Sequence, residues 1–408
     1  MAPGNRSVRR GIAKVRRELQ GSVFETPKSK HGRGIDNDMD VAGTSVTPEK
    51  TLSTTGSRRR DTVRDGTHGS GKLVLNECRW LRRAITVGTD FSGLEMPIIA
   101  LEKLQIPFRH LFSCDSDLHC RKLIQGRFKP AAVYKNILDD DGDRASVDLY
   151  VFCAPCVTFS SEGNGEGDET LIKAACMYIR KSRPRIIVSE NVVGITFKKH
   201  ARILRKLRAT LSPHYVMFTR ILNSADYGVC QQRRRWYLVA IRRDCYQADF
   251  RWPRASKSGK PDIEACLDAP TRREFWKRLP DKSGKDNRRR ELVKTAFRKL
   301  KAAKLHPAAN PTFVDTGCSL SRAHHRTNEM CTMTRTRCAA FDYWVTSRGR
   351  PLTLREMTRF QGAELEDFGD LDKYGISKTQ FAGMLGNSVT LTVMMHVLKA
   401  AIASTRFD

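Results

Sequence analysis

Between residues 84 and 241, short apolar runs alternate with longer segments that have the periodicity of helices. The apolar runs are AITV (84–87), LFSC (111–114), VDLYVFC (147–153), RIIVSE (185–190), YVMFTRIL (215–222) and RWYLVAI (235–241). The helical segments are 96–104, 118–124, 168–182 and 199–211. Alternation of this kind predicts an α/β fold, in which a parallel sheet carries helices on both faces.

Ligands of such a sheet bind at the edge where its parallel strands end. The loops that leave this edge are therefore expected to share one crevice, and they are 88–95, 115–117, 136–140, 154–163 and 190–194. Outside this region the pattern changes, which predicts four parts: a disordered basic tail (1–78), the sheet domain (79–245), an insert (246–345) and a return to the sheet domain (346–408).

The charge of the chain predicts a polyanionic partner. The formal net charge is +29, and residues 251–304 contain 18 Lys and Arg against seven Asp and Glu. Nucleic acid is the first candidate partner and an anionic membrane the second. Because no run approaches the ~18 apolar residues of a membrane helix and nothing resembles a secretory signal, we expect no membrane role and an intracellular protein with reduced thiols.

Two basic segments have more than one interpretation. In 288–305 an apolar stripe predicts an amphipathic helix, which either docks on the core with a solvated basic face or contacts nucleic acid; the stripe is Leu292, Val293, Ala296, Phe297 and Leu300. VRRGIAKVRREL (8–19) fits a nucleic-acid-binding arm or nuclear signal, a mitochondrial presequence, or a solvated tail. SRRR at 57–60 favours the nucleus.

Three crevice loops offer groups that suit a nucleotide-like ligand. In GTDFSGLE (88–95), glycine permits close backbone approach and Phe91 can stack on a nucleobase, although an ordinary tight turn has the same composition. Asp115 is placed to bind both hydroxyls of a ribose, and Asp117 is a candidate helix N-cap. Asn136 can hydrogen-bond an exocyclic amine.

Cys153 and Cys156 form a C-x-x-C pair around Ala-Pro, with three interpretations: a redox dithiol, half of a zinc site, or a chance spacing around one reactive thiol. Pro155 stiffens the loop that presents Cys156 to the crevice. Glu190 ends the next strand, where burial would raise its pKa and suit it to donate a proton.

Six segments in this order resemble the conserved motifs of the cytosine-C5 DNA methyltransferases. They are DFSG (90–93), APCVTFS (154–160), ENV (190–192), QQRRR (231–235), RPLTLREMTRFQG (350–362) and GNSV (386–389). The resemblance covers about 84–245 and 345–403. The chain departs from the family pattern at Glu95 and Met96, where glycines are usual, at Asn136, where aspartate is usual, and at Val157, where glutamine is usual.

The resemblance implies a Rossmann-like methyltransferase sheet, a small basic target-recognition insert, S-adenosylmethionine as cofactor and DNA as partner. Cys156 would be the nucleophile, Glu190 would hold the base, and Arg235, together with Arg233, would donate to its O2. The cofactor-binding residues would be Phe91, Gly93, Asp115, Asn136, Ile137, Pro155, Asn387 and Ser388, without a metal. The implied setting is DNA methylation in the nucleus, with a role in epigenetic regulation.

Three alternatives remain open. One branch of the same family methylates tRNA, but the Cys-Phe-Thr tripeptide of that branch is absent from this sequence. A catalytically inactive DNA-binding chromatin protein would keep the fold, although the catalytic side chains are all present. Zinc in the insert would use Cys318, His324, His325, Cys331 and Cys338, whose spacing instead favours scattered thiols.

Overall fold

A computed structural model describes residues 83–139, 144–155, 169–247, 249–256, 262–271, 276–281 and 287–407, all within the compact unit Gly71–Asp408. The predicted tail 1–78 lies outside the described residues. The main sheet contains β1 (Ile85–Asp90), β2 (Phe108–Cys114), β3 (Ala132–Tyr134), β4 (Leu149–Phe152), β5 (Ile186–Val192), β6 (Tyr215–Asn223) and β7 (Arg234–Arg242).

Helices cover both faces of this sheet, as predicted. The helices of the described residues, in chain order, are α1 (Met96–Lys103), α2 (Leu118–Leu123), α3 (Glu169–Ser182), α4 (Ala201–Leu211), α5 (Arg288–Ala302), α6 (Arg335–Ala339), α7 (Leu354–Phe360), α8 (Lys378–Asn387) and α9 (Leu391–Ala403). Alternate residues of each strand serve opposite faces. Val151 of β4 packs in one buried cluster with α1 and α9, and its neighbour Tyr150 packs in the other with α3 and α4.

The strand order is β3-β2-β1-β4-β5-β7-β6. Neighbouring strands from β3 to β5 pair in parallel, whereas β7 runs antiparallel to both β5 and β6. The expectation of a wholly parallel sheet is therefore wrong at β7. Only residues 224–233 connect β6 to β7, which is shorter than the crossover of a dozen or more residues that a parallel pair needs.

A second sheet lies in the later part of the chain, with order β11-β10-β8-β9. Its strands are β8 (Thr312–Asp315), β9 (His325–Thr327), β10 (Tyr343–Val345) and β11 (Arg350–Pro351). The amphipathic helix predicted at 288–305 is confirmed as α5, whose stripe packs on Val314 and Trp344 of this small sheet. Whether the insert ends at the predicted boundary of 345 stays a prediction.

Within the described part of the chain, no single helix is long and apolar enough to cross a membrane. The helices α8 and α9 meet that criterion only together, as a pair bent by 47°, and by length and composition alone.

A buried ion pair fixes the end of β1 next to the loop 91–95. Asp90 is 1% exposed, and both of its carboxylate oxygens lie 2.9 Å from Nη1 of Arg144. Tyr150 Oη also donates to this carboxylate, and the guanidinium lies over the rings of Phe112 and Tyr134. Because both charges are out of water, each depends on the other for compensation.

We expect Asp90→Asn to lower the free energy of unfolding by about 3–5 kcal/mol, because it leaves the Arg144 charge buried without its partner. Chemical denaturation would measure this loss. Glu366→Gln, in the exposed pair of Glu366 with Arg355, is the control and should leave the denaturation midpoint unchanged. An Asp90→Asn midpoint equal to that of the control would show that the buried pair does not stabilise the fold.

Candidate active site

A cleft of about 790 Å³ opens at the carboxyl ends of β1, β2, β4 and β5. It collects most of the side chains predicted from the sequence, namely Phe91, Gly93, Asp115, Pro155, Glu190, Arg233, Arg235, Asn387 and Ser388. The prediction that these loops share one crevice is confirmed for the described parts of 88–95, 115–117, 154–163 and 190–194. The described residues of the loop 136–140, which are 136–139, do not contribute to the lining.

The loop after β1 has an unusual backbone. Phe91, Gly93 and Glu95 adopt the left-handed conformation, with φ of 56°, 54° and 55°. Gly93 has open space where a side chain would project, since the nearest atom to a Cβ built there lies at 3.9 Å. The ring of half-buried Phe91 packs on the buried cluster at one side of the sheet. This loop therefore presents backbone and an aromatic ring to the cleft.

Asp115, directly after β2, lies beside the loop that follows β1. Its Oδ2 accepts from Gly93 N at 2.8 Å and its Oδ1 accepts from Asp117 N at 2.8 Å. Burial raises the pKa of this carboxyl, and the two amide donors oppose that rise. Asp117 is the N-cap of α2, as predicted, and it also binds Arg335 Nη2 at 3.0 Å.

The loop after β4 is held from two sides before it reaches Cys156, which lies outside the described residues. Cys153 N donates to Asp90 O at 3.3 Å, and Asn191 Nδ2 donates to Ala154 O at 3.0 Å. Asn191 is 2% exposed, so this bond is shielded from water. Burial raises the pKa of the Cys153 thiol, which makes it unreactive as a nucleophile.

Glu190 and Arg235 form a pair on the floor of the cleft. Glu190 is 8% exposed, and its Oε1 lies 3.3 Å from Arg235 Nε. That oxygen has no hydrogen-bond partner among the described residues. Burial raises the pKa of Glu190, while Arg235 and Arg233 oppose the rise. A buried carboxyl with an unused oxygen beside a cation is suited to hold a polar ligand edge.

Arg233 has a different role from the one that the resemblance implies. Its Nη1 donates to Met333 O at 2.9 Å and its Nη2 donates to Ser388 O at 2.7 Å. Nearby Gln231 accepts from Met333 N at 3.0 Å and donates to Phe360 O at 2.7 Å. Both side chains are buried and join the small sheet and the C-terminal helices to the main sheet. Arg233 is therefore a positioning residue, and Arg235 is the arginine available in the cleft.

Two predicted cofactor residues do not line the cleft. Asn136 Oδ1 accepts from Leu138 N at 3.0 Å, so its oxygen is used within its own turn. Ile137 is 3% exposed and belongs to the buried cluster that includes Tyr150 and Phe152. The assignment of a ligand-binding role to these two residues therefore finds no support in the geometry.

The opposite wall of the cleft was not predicted from the sequence. It comes from the small sheet and the segment that leads to α6, and includes His324, Arg326, Thr332, Thr334, Arg335 and Arg337. The Arg-rich composition was the only signal, because these residues reach the site through long-range packing. No group of three or more His, Cys, Asp or Glu in the described ranges could hold a metal ion, including the candidates near Cys318 and Cys331.

The C-5 cytosine-specific DNA methylase family matches residues 90–403. The type II methyltransferase M.XorII of Xanthomonas oryzae is 30% identical over 209 residues, which cover 47% of this chain and 49% of that protein. M.HhaI of Haemophilus parahaemolyticus is 29% identical over 111 residues, covering 26% and 34%. The chain thus spans half or less of these relatives. M.NgoBI of Neisseria gonorrhoeae is 25% identical over 318 residues, covering 74% and 89%.

Solved structures match the fold. A DNA modification methyltransferase encoded within an E. coli prophage aligns with a TM-score of 0.55 at 18% identity, covering 79% of this chain and 99% of that chain. The S. pombe Dnmt2 methyltransferase aligns with a TM-score of 0.52 at 14% identity, with the same coverage of 79% and 99%. Likeness at these identities establishes the architecture alone, and it confirms the predicted α/β fold.

We expect Arg233→Met to lower the free energy of unfolding by about 2–4 kcal/mol, because the buried carbonyls of Met333 and Ser388 lose a charged donor. Arg234→Met, at the adjacent exposed position where β7 begins, should change it by no more than about 0.5 kcal/mol. Denaturant titration of both variants measures the difference. Equal, small effects would contradict the positioning role.

Proposed function

The chain belongs to the C-5 cytosine-specific DNA methylase family, and we propose that it transfers a methyl group from S-adenosylmethionine to C5 of cytosine in DNA. The observation that carries the proposal is a single cleft. In it, the loop leading to Cys156, the buried pair of Glu190 and Arg235, and the loop of Phe91 and Gly93 meet.

The residues present fit the cofactor that this family uses. The cleft has the volume of a small-molecule site, and Gly93 leaves room for a ligand against its backbone. Asp115 would accept hydrogen bonds from both ribose hydroxyls, and Phe91 would stack on the adenine. Pro155, Asn387 and Ser388 would complete the lining. When bound, S-adenosylmethionine supplies an electrophilic methyl group.

Carbon 5 of cytosine is a poor nucleophile, so the base must be activated. The Cys156 thiolate adds to C6, forming a carbon–sulfur bond, and the electron pair displaced from the C5–C6 bond makes C5 nucleophilic. After C5 is methylated, a base removes the C5 proton and the electron pair of that C–H bond expels the thiolate. Cys153 takes no part, because desolvation raises the pKa of its partly buried thiol and so disfavours the thiolate.

Glu190 and Arg235 stabilise the activated base. A protonated Glu190 donates to N3 and its other oxygen accepts from the exocyclic amine, which compensates the charge that develops on addition to C6. Arg235 donates to O2. The contact between Arg235 Nε and Glu190 Oε1, at 3.3 Å, places the two groups side by side.

The cytosine must leave the double helix to reach this buried pair, so we propose that the base is flipped out. Arg326, Arg335 and Arg337 line the opposite wall of the cleft, each ion-paired with a carboxylate, and together with the basic insert they would contact the phosphates of the strand by exchanging these partners. RNA as substrate is the competing possibility, because phosphate contacts do not distinguish the two. Nuclear residence is a proposal based on the basic N-terminal segments, with a mitochondrion or another organelle as the alternative. A role in epigenetic regulation is a proposal that follows from the family resemblance.

We expect the protein to transfer labelled methyl groups from S-adenosylmethionine to duplex DNA. Cys156→Ala should reduce the rate by at least about a thousandfold, because no thiolate then activates C5. Cys153→Ala is the matched control and should retain the rate within about threefold, because the side chain only fills space. Duplex DNA, hemimethylated DNA and tRNA are incubated side by side with the methyl-labelled cofactor, and the label retained with each nucleic acid on a filter measures the transfer.

Label on tRNA alone would overturn the choice of DNA. Equal losses in the two cysteine variants would revive the redox dithiol interpretation of the C-x-x-C pair. The absence of transfer to every substrate, with cofactor binding intact, would favour the inactive DNA-binding protein.

The pH dependence of methyl transfer should show the titration of the Glu190 carboxyl. Because burial raises its pKa, the protonated form persists above the usual range, and the rate should fall as the pH rises through that raised pKa. Single-turnover rates across about pH 5.5 to 9.5 would show this alkaline decline. In Glu190→Gln, whose amide does not titrate, the rate should be lower and the decline absent. A decline that persists in this variant would assign it to another group.

A further inference from the structure

Glu95 is a buried carboxyl that the proposed reaction does not use. It lies at the N-terminus of α1, is 0% exposed and does not line the cleft. Its φ of 55° is a conformation that favours glycine, so a side chain there strains the backbone. A strained, fully buried charged residue persists only where its contacts compensate for these costs, so the contacts of Glu95 are informative.

The carboxyl of Glu95 joins two strands beneath the loop. Its Oε1 accepts from Thr89 Oγ1 at 2.7 Å and from Ser113 Oγ at 2.6 Å. Thr89 Oγ1 lies 2.7 Å from Ser92 Oγ, which in turn accepts from Cys114 N at 3.1 Å. Thr89 and Ser92 line the cleft. Glu95 therefore holds Thr89 and Ser92 from the side that faces away from the cleft. Phe91 and Gly93 lie close to these two residues in the chain.

The surroundings favour a carboxyl that does not carry a full charge. Burial raises the pKa of Glu95 to about 7, against the pull of its hydroxyl partners and with a further rise from Asp115. His110 Nε2 lies 3.7 Å from Oε1, but burial lowers the pKa of His110 to about 4, so it supplies no positive charge at neutral pH. The buried thiols of Cys120 and Cys153 also face this carboxyl.

We propose that Glu95 is a positioning residue for the cofactor: through Thr89 and Ser113 it holds the loop 91–95 in the left-handed conformation that presents Phe91 and Gly93 to the adenosine group. The inference rests on the proposed function, because it takes the ligand of this corner to be S-adenosylmethionine. Glu95 does not contact the ligand, so its removal changes affinity through the loop.

Calorimetric titration with S-adenosylmethionine tests this inference in the full-length protein. Glu95→Ala should raise the Kd by about tenfold or more, because the hydroxyls of Thr89 and Ser113 lose their common acceptor. Glu95→Gln keeps an acceptor oxygen and should restore the Kd to within about threefold of the wild-type value. Glu102→Gln, an exposed position on α1, is the matched control and should leave the Kd unchanged.

The rate at saturating cofactor separates positioning from general damage. In Glu95→Ala it should remain within about threefold of wild type while KM for S-adenosylmethionine rises. If Glu95→Ala does not fold, Ser113→Ala removes one of the two bonds and should still raise the Kd by about threefold. A wild-type Kd in Glu95→Ala, or in Ser113→Ala where Glu95→Ala does not fold, would overturn the inference. A wild-type protein that binds no S-adenosylmethionine would instead overturn the proposed function.

Discussion

The hydrogen bonds of Gln231 and Arg233 are the constraint on which the cleft depends. One wall of the cleft belongs to the main sheet, and the other comes from residues about a hundred positions later in the sequence. These two buried side chains hold the second wall to the first, through the backbone of Met333, Phe360 and Ser388. Bonds from a charged donor to buried carbonyls are costly to break, so the spacing between the walls is fixed.

The first wall is stabilised by contacts between neighbouring strands and loops of the main sheet. Asp90 is anchored by the buried guanidinium of Arg144, and its carbonyl in turn holds Cys153 at the start of the next loop. Asn191 then holds Ala154. The loop after β4 is therefore attached to the ends of both neighbouring strands, β1 and β5. A rigid arrangement of this kind suits a site in which a thiolate must meet one carbon atom of a base.

The sequence predicted α1 to α5, most of the crevice and six of the seven strands of the main sheet, all but β3, because period-two and helical patterns report burial locally. The apolar run of β7 does not show its direction, and the antiparallel arrangement follows from the short connection 224–233, which the prediction of a parallel sheet did not take into account. The sequence also did not predict that the side chain of Asn136 accepts a hydrogen bond from Leu138 N within its own turn. Arg233 and Arg235 are both arginines of one motif, so the sequence does not distinguish their roles. Only the long-range contacts show that Arg233 is a positioning residue and that Arg235 faces the cleft.

The antiparallel direction of β7 has a consequence for how this chain can vary. Because β7 begins at the cleft edge, where Arg235 pairs with Val192, it ends at the opposite edge, where Ile241 pairs with Ile186. The chain therefore enters the following segment on the side of the sheet remote from the cleft. Residues added just after Arg242 would lengthen an outer connection without moving the walls of the site. This junction is the place where a fold of this kind can acquire new recognition surface while its reactive geometry stays constant.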